Sequence, residues 1–105
     1  MLKLYVLDSN TNVNDYETIT DTNVVIILKD TKHFDVTSNF SSLSFEVNGN
    51  FASSHKTCEV IFTKSAGTVT LPTGFKYIGS KNFELNHSYL LTIKDNIIRI
   101  DELKD

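Results

Sequence analysis

The stretches Cys58-Glu-Val-Ile-Phe-Thr63, Gly67-Thr-Val-Thr-Leu-Pro-Thr-Gly-Phe-Lys-Tyr-Ile-Gly79 and Tyr89-Leu-Leu-Thr-Ile-Lys-Asp-Asn-Ile-Ile-Arg-Ile100 read almost without a break as short β-strands joined by tight turns. In the first, Cys58, Val60 and Phe62 alternate with Glu59, Ile61 and Thr63. That period of two places one set of side chains on each face of a strand. In the second, residues 68–71 have strand composition. Pro72 ends that strand, because proline has no N–H to give to a sheet ladder. Thr73-Gly74 is a turn, residues 75–78 are a short strand, and Gly79-Ser80 closes it. In the third, residues 88–94 and 97–101 flank Asp95-Asn96, a two-residue spacer that predicts a type I′ hairpin.

Working outward, residues 2–7 alternate Leu2, Leu4 and Val6 against Lys3, Tyr5 and Leu7, a strand pattern. Residues 8–15 are polar and Asn-rich and read as a loop. A short strand is expected over 16–20. The continuous β-branched run Val24-Val-Ile-Ile-Leu28 predicts a strand over 23–29 buried on both faces. Residues 30–33 read as a turn. Phe34 and Val36 alternate, as do Leu43, Phe45 and Val47, and a strand is expected over about 41–48. Asn48-Gly49 is a turn signal, but residues 51–56 are not strand-like, so a longer loop follows. The charged end, 102–105, reads as frayed. No segment sustains helical periodicity, and no sequence repeat of 20–50 residues is visible. The expectation is one all-β domain over residues 1–105, an antiparallel β-sandwich or jelly-roll-like barrel of about eight or nine short strands.

Length and composition bound the function. A chain of 105 residues is one domain and can bury about two thirds of its unfolded surface, so it needs no metal or disulfide to fold. Ser, Thr and Asn make up roughly a third of it, which suits turns, solvent-facing strand positions and a surface that meets other surfaces. The net charge is −3, and Arg99 is the single arginine. Nucleic-acid binding needs clustered Lys and Arg and is not expected. The start of the chain reads as a strand with an early acid, so no signal peptide is expected. No apolar run approaches the ~20 residues that span a bilayer. A single cysteine, Cys58, forms no intrachain disulfide.

No motif reads as catalytic, and no enzyme activity, cofactor or metal is expected. Residues 8–15 alternate oxygen-bearing side chains as a calcium loop does. However, Val13 stands where that loop needs glycine and Ile19 where it needs glutamate, so a solvated loop is the better reading. His33, His55 and His87 share no ligand spacing with each other or with Cys58 and fall in loops or at strand ends. Cys58 on an alternating strand is a small buried hydrophobe rather than a nucleophile. No Gly-x-Ser-x-Gly elbow and no phosphate loop is present. Glu46 and Glu59 lie on separate strands and make no carboxylate pair that the sequence can place. Asn39-Phe-Ser and Asn86-His-Ser match the glycosylation sequon, which has meaning only in a secreted protein. The aromatics carry the one binding signal. Phe75 and Tyr77 alternate on a short strand and Tyr89 opens the last hairpin, a possible surface for stacking on sugars. The competing reading, favoured here, is that these rings fill a core that lacks tryptophan.

The run from Cys58 to Ile100 resembles a module of phage capsid-fibre, head-decoration and tail proteins. That module has a Thr-Val-Thr-x-Pro-x-Gly-Phe/Trp-Lys-Tyr/Trp stretch, a polar loop, a Tyr-containing strand and a final hairpin. Thr68, Val69, Pro72, Gly74, Phe75, Lys76, Tyr77 and Tyr89 are the matching positions, and Phe75 and Tyr77 stand where tryptophan is common. The resemblance covers about two fifths of the chain and rests on turn residues and aromatics. It implies a structural virion protein, made in the host cytoplasm. Specifically, it implies an auxiliary (decoration) capsid protein similar to those of crAss-like phages. Such a protein binds the capsid exterior and staples neighbouring subunits, with the major capsid protein or other virion proteins as partners. A homo-oligomer is compatible with it, and no nucleic acid or membrane is involved. The alternative is a head-fibre or tail domain that binds host surface glycans.

Overall fold

The computed structural model describes residues 16–28, 32–47 and 57–104. The expected strand over 2–7, the loops over 8–15 and 51–56, the Asn48-Gly49 turn and His55 lie outside the described residues. Those described contain nine strands and no helix: β1 (Tyr16–Ile19), β2 (Asn23–Leu28), β3 (His33–Val36), β4 (Ser42–Val47), β5 (Thr57–Thr63), β6 (Thr68–Val69), β7 (Lys76–Ile78), β8 (Ser88–Lys94) and β9 (Ile97–Leu103). The chain is all-β, with the short strands that its period-two patterns imply.

The pairing is mixed, where antiparallel strands were expected. One sheet has the order β1-β3-β5-β8-β9-β7, the other β2-β4-β6. β1, β3 and β5 run parallel, as do β2, β4 and β6. Antiparallel pairing is confined to β5·β8 and β8·β9. The physical reason lies in the connections. A parallel pair needs a crossover rather than a hairpin; between β1 and β6 each crossover is a strand of the opposite sheet, while the parallel pair β7·β9 is bridged by β8 of its own sheet. From β1 to β6 the chain therefore coils, laying one strand on each sheet per turn. Equivalent positions recur after 19 residues between Asn23 and Ser42 and after 26 between His33 and Glu59. This is a structural repeat with no sequence repeat behind it.

The corners of successive coils are joined as well. Thr37 N–H donates to Ile19 O at 2.9 Å, Ser41 N–H to Thr22 O at 2.7 Å, and Thr68 N–H to Ser41 O at 3.0 Å. The hydroxyl of Ser65 donates to Phe40 O at 2.8 Å. Gly67 belongs to this corner stack. A Cβ there would collide with the carbonyls of Phe40 and Ser41, so only glycine lets the coils approach so closely.

The core lies between the two sheets and is built from files of side chains stacked in register. Ile19, Val36, Phe62 and Tyr89 form one file, and Phe34, Val60, Leu91 and Ile100 another. Val24, Leu43 and Val69 face them from the smaller sheet. Phe40, in the corner between β3 and β4, is buried and packs edge-on against Phe62 at 6.0 Å. The run in β2 is not buried on both faces. Val24, Ile26 and Leu28 point inward, while Val25 and Ile27 are 50% and 42% exposed. The second face is bare because the smaller sheet has no layer outside it among the described residues.

β7 closes the larger sheet at one end, lying parallel to β9 of the β8–β9 hairpin. The turn of that hairpin differs from type I′, which needs positive φ at both central residues. Only Asp95 takes one, at 55°.

Candidate functional site

The three aromatics singled out from sequence do not form one surface. Tyr89 is 3% exposed and belongs to the core, where Phe62 and Phe83 contact its ring at 5.8 and 4.9 Å. Its hydroxyl accepts the N–H of Glu84 at 2.7 Å, which fixes the loop before β8. Its place in the sugar-stacking trio is therefore corrected: it sits on the inward face of β8, beside Phe62 of β5. Phe75 and Tyr77 are half-buried against the core. The Tyr77 hydroxyl donates to Pro72 O at 2.6 Å, and burial pushes its pKa upward. Lys81 Nζ lies 4.8 Å above the Tyr77 ring, on a face that a sugar would need. Tyr77 pairs with Ile98 and Tyr89 with Glu102. Those β9 positions are about 13 Å apart at a strand rise of ~3.3 Å.

The remaining residues of the family-like stretch are architectural. Thr68 and Val69 form β6 on the edge of the smaller sheet, Pro72 is buried, and Gly74 turns the chain with φ of +85°. Lys76 N–H donates to Asn96 O at 2.8 Å and ties β7 to the final hairpin.

The structure brings together a different set of residues. The ends of β3, β5, β8 and β9 meet at one end of the larger sheet and line a groove of about 890 Å³. Register explains the meeting: Val36 pairs with Phe62, Thr63 with Ser88, and Ser88 with Leu103. Asp35, Thr63, Asn86, His87, Ser88 and Glu102 supply its polar groups, and Ile61 and Leu103 supply apolar lining. The Thr63 and Ser88 hydroxyls are hydrogen-bonded at 2.7 Å. His87 Nδ1 lies 2.7 Å from Glu102 Oε2. Asn86 takes a φ of 69°, which turns the chain into β8. A second recess of about 570 Å³ adjoins through the shared residues Asn39 and Asn86.

The groove's chemistry is hydrogen bonding with little net charge: Asp35 and Glu102 against Lys104, with His87 between them. The His87–Glu102 pair has the form of a base and its orienting carboxylate. The neighbouring Ser88 hydroxyl is engaged by Thr63, so the three do not form a relay in this arrangement. Among the described residues no group of three or more His, Cys, Asp or Glu could hold a metal ion. Sequence reasoning missed the groove because its residues come from four strands and have no motif spacing. His87 and Asn86-His-Ser were noticed, but nothing in their spacing points to Glu102 or Asp35.

His33, read from sequence as part of a turn, is the first residue of β3 and is 7% exposed. It stacks on Tyr16 and places Nδ1 3.1 Å from Glu59 Oε1. Cys58 is fully buried on β5, facing Ile93 of β8.

Fold and groove together define a small two-sheet β-module with a polar end. Comparison with protein-family models, with curated proteins and with solved structures finds no match for this chain.

Proposed function

We propose that this chain is a structural module of a phage virion, an auxiliary (decoration) protein that binds the capsid exterior and staples neighbouring subunits. The observation that carries the reading is the placement of the virion-like stretch, 58–100. It spans β5 to β9, which supply four adjacent strands of the larger sheet and the edge strand β6 of the smaller one, and its matching residues serve turns, corners and core packing. A shared scaffold of that kind suits a protein whose task is to present surface. The partner is the major capsid protein or another virion protein. Many copies of one modest contact on a repeating lattice supply the strength through multivalency. The test is co-sedimentation of the purified chain with capsids that lack it. Saturable binding at a fixed ratio to the major capsid protein supports the reading, and failure to bind intact capsids overturns it.

A second reading, a head-fibre or tail domain that binds host glycans, is favoured by the groove at Asp35, Thr63, His87 and Glu102. Convergent hydroxyl, amide and carboxylate groups with an apolar lining can hydrogen-bond a polyhydroxyl ligand. Glycan-array binding that is lost in Glu102→Gln, without capsid binding, would select this reading.

A further inference from the structure

Among the described residues the coil is open at its first turn. β1 and β2 are edge strands, and no described residue pairs with their outer edges. β2 is the longer of the two, six residues with Val25 and Ile27 half-exposed on its outer face. An unpaired edge of that length and composition is a template for another strand.

We propose that the free edge of β2 is a strand-docking site whose occupant is the chain's own segment 2–7, laid parallel to β2. Leu2, Leu4 and Val6 then stand beside Val24, Ile26 and Leu28, and Lys3 and Tyr5 flank the exposed Val25 and Ile27. Three observations select this occupant. Leu2 lies 22 residues before Val24, within the 17 to 26 residues by which successive coils recur, from Tyr16–His33 to His33–Glu59. The apolar period of the segment matches the inward period of β2 in that register. The eight residues between Leu7 and Tyr16 also match what the fold uses for the same crossing. Four residues lie between Leu28 and His33, and nine between Val47 and Thr57. The proposal stands apart from the virion reading.

A double variant, Lys3→Cys with Val25→Cys, tests it in the full-length chain. Directly paired positions lie within disulfide reach, whereas those two residues out of register lie beyond it. Cys58 is the only native thiol and is fully buried. Mild oxidation at low concentration, followed by non-reducing peptide mapping, is expected to join positions 3 and 25 within one chain. The yield should clearly exceed that of Lys3→Cys with Ile27→Cys, whose Cα atoms lie beyond bridging distance in this register. Equal yields overturn the proposal. So does a link found only between two chains, which would make the occupant a second copy. Hydrogen exchange on the unsubstituted chain gives an independent check. The β2 amides not bonded to β4 are expected to be protected, and immediate exchange of those amides contradicts docking.

Discussion

The phenol ring of Tyr16 lies flat on the imidazole of His33 across the β1–β3 pair, with centroids 5.0 Å apart and planes 9° from parallel. The file continues to Glu59 on β5, whose carboxylate lies 3.1 Å from His33 Nδ1. Three coils thus contact one another through a single in-register column, and Tyr16 also donates its hydroxyl to Asp35 at 3.0 Å. Tyr16→Leu keeps apolar area but removes the stack and the hydroxyl bond. We expect a loss of about 1–2 kcal/mol in urea unfolding. An unchanged midpoint would show that the column does not bind the first coil to the second.

Gly67 and Gly74 separate two uses of glycine. Gly67→Ala drives a Cβ into the carbonyls of Phe40 and Ser41 and should cost about 3 kcal/mol, with faster hydrogen exchange at the Thr68 amide. Gly74 has open space around it and a φ of +85°, so Gly74→Ala meets only backbone strain, about 1 kcal/mol. Thermal unfolding of the two variants checks the order, and a reversed order would contradict the close packing of the corners.

Alkaline pH should weaken the fold through two tyrosines. Burial raises the pKa of Tyr16, and its hydrogen bond and proximity to Asp35 add to the shift; burial alone raises that of Tyr77. Both are raised above the unfolded value, so their contribution is fully present below about pH 10 and is lost as pH rises through the folded values. Chemical unfolding between pH 8 and pH 11 should show stability falling at the upper end. The double variant Tyr16→Phe with Tyr77→Phe should flatten that fall, and an identical slope would remove these two groups as its cause.

Tyr89→Phe distinguishes a core role from a binding role. It leaves the ring in place but strips the acceptor from the Glu84 N–H, so a loss of about 1–3 kcal/mol is expected in denaturant unfolding. Sugar binding by the chain, if measured, should not change with this substitution. Loss of binding at unchanged stability would return Tyr89 to the surface reading.

Local pattern carried the strands but not their partners. The alternation Cys58, Val60, Phe62 against Glu59, Ile61, Thr63 reappears as buried and half-buried faces of β5, because period two is a property of each strand alone. Partner choice depends on how the chain crosses between sheets, and among the described strands β8 and β9 are the only consecutive ones that pair. Hairpin logic applied to the rest therefore gave antiparallel neighbours where the coil gives parallel ones. The same limit hid the groove. His87 meets Glu102, and Thr63 meets Ser88, through β5–β8–β9 register, which sequence spacing does not encode. The aromatic positions were visible, but exposure was not: burial of Tyr89 and partial burial of Tyr77 follow from which face of the sheet each occupies.

The copy number of this chain in purified virions of its source, measured by quantitative mass spectrometry against the major capsid protein, tests the proposed function most directly. A lattice-decorating protein predicts one copy per capsid subunit or per few subunits. A ratio far below that would contradict decoration and favour a fibre or tail position, and absence from the virion would contradict the virion reading altogether.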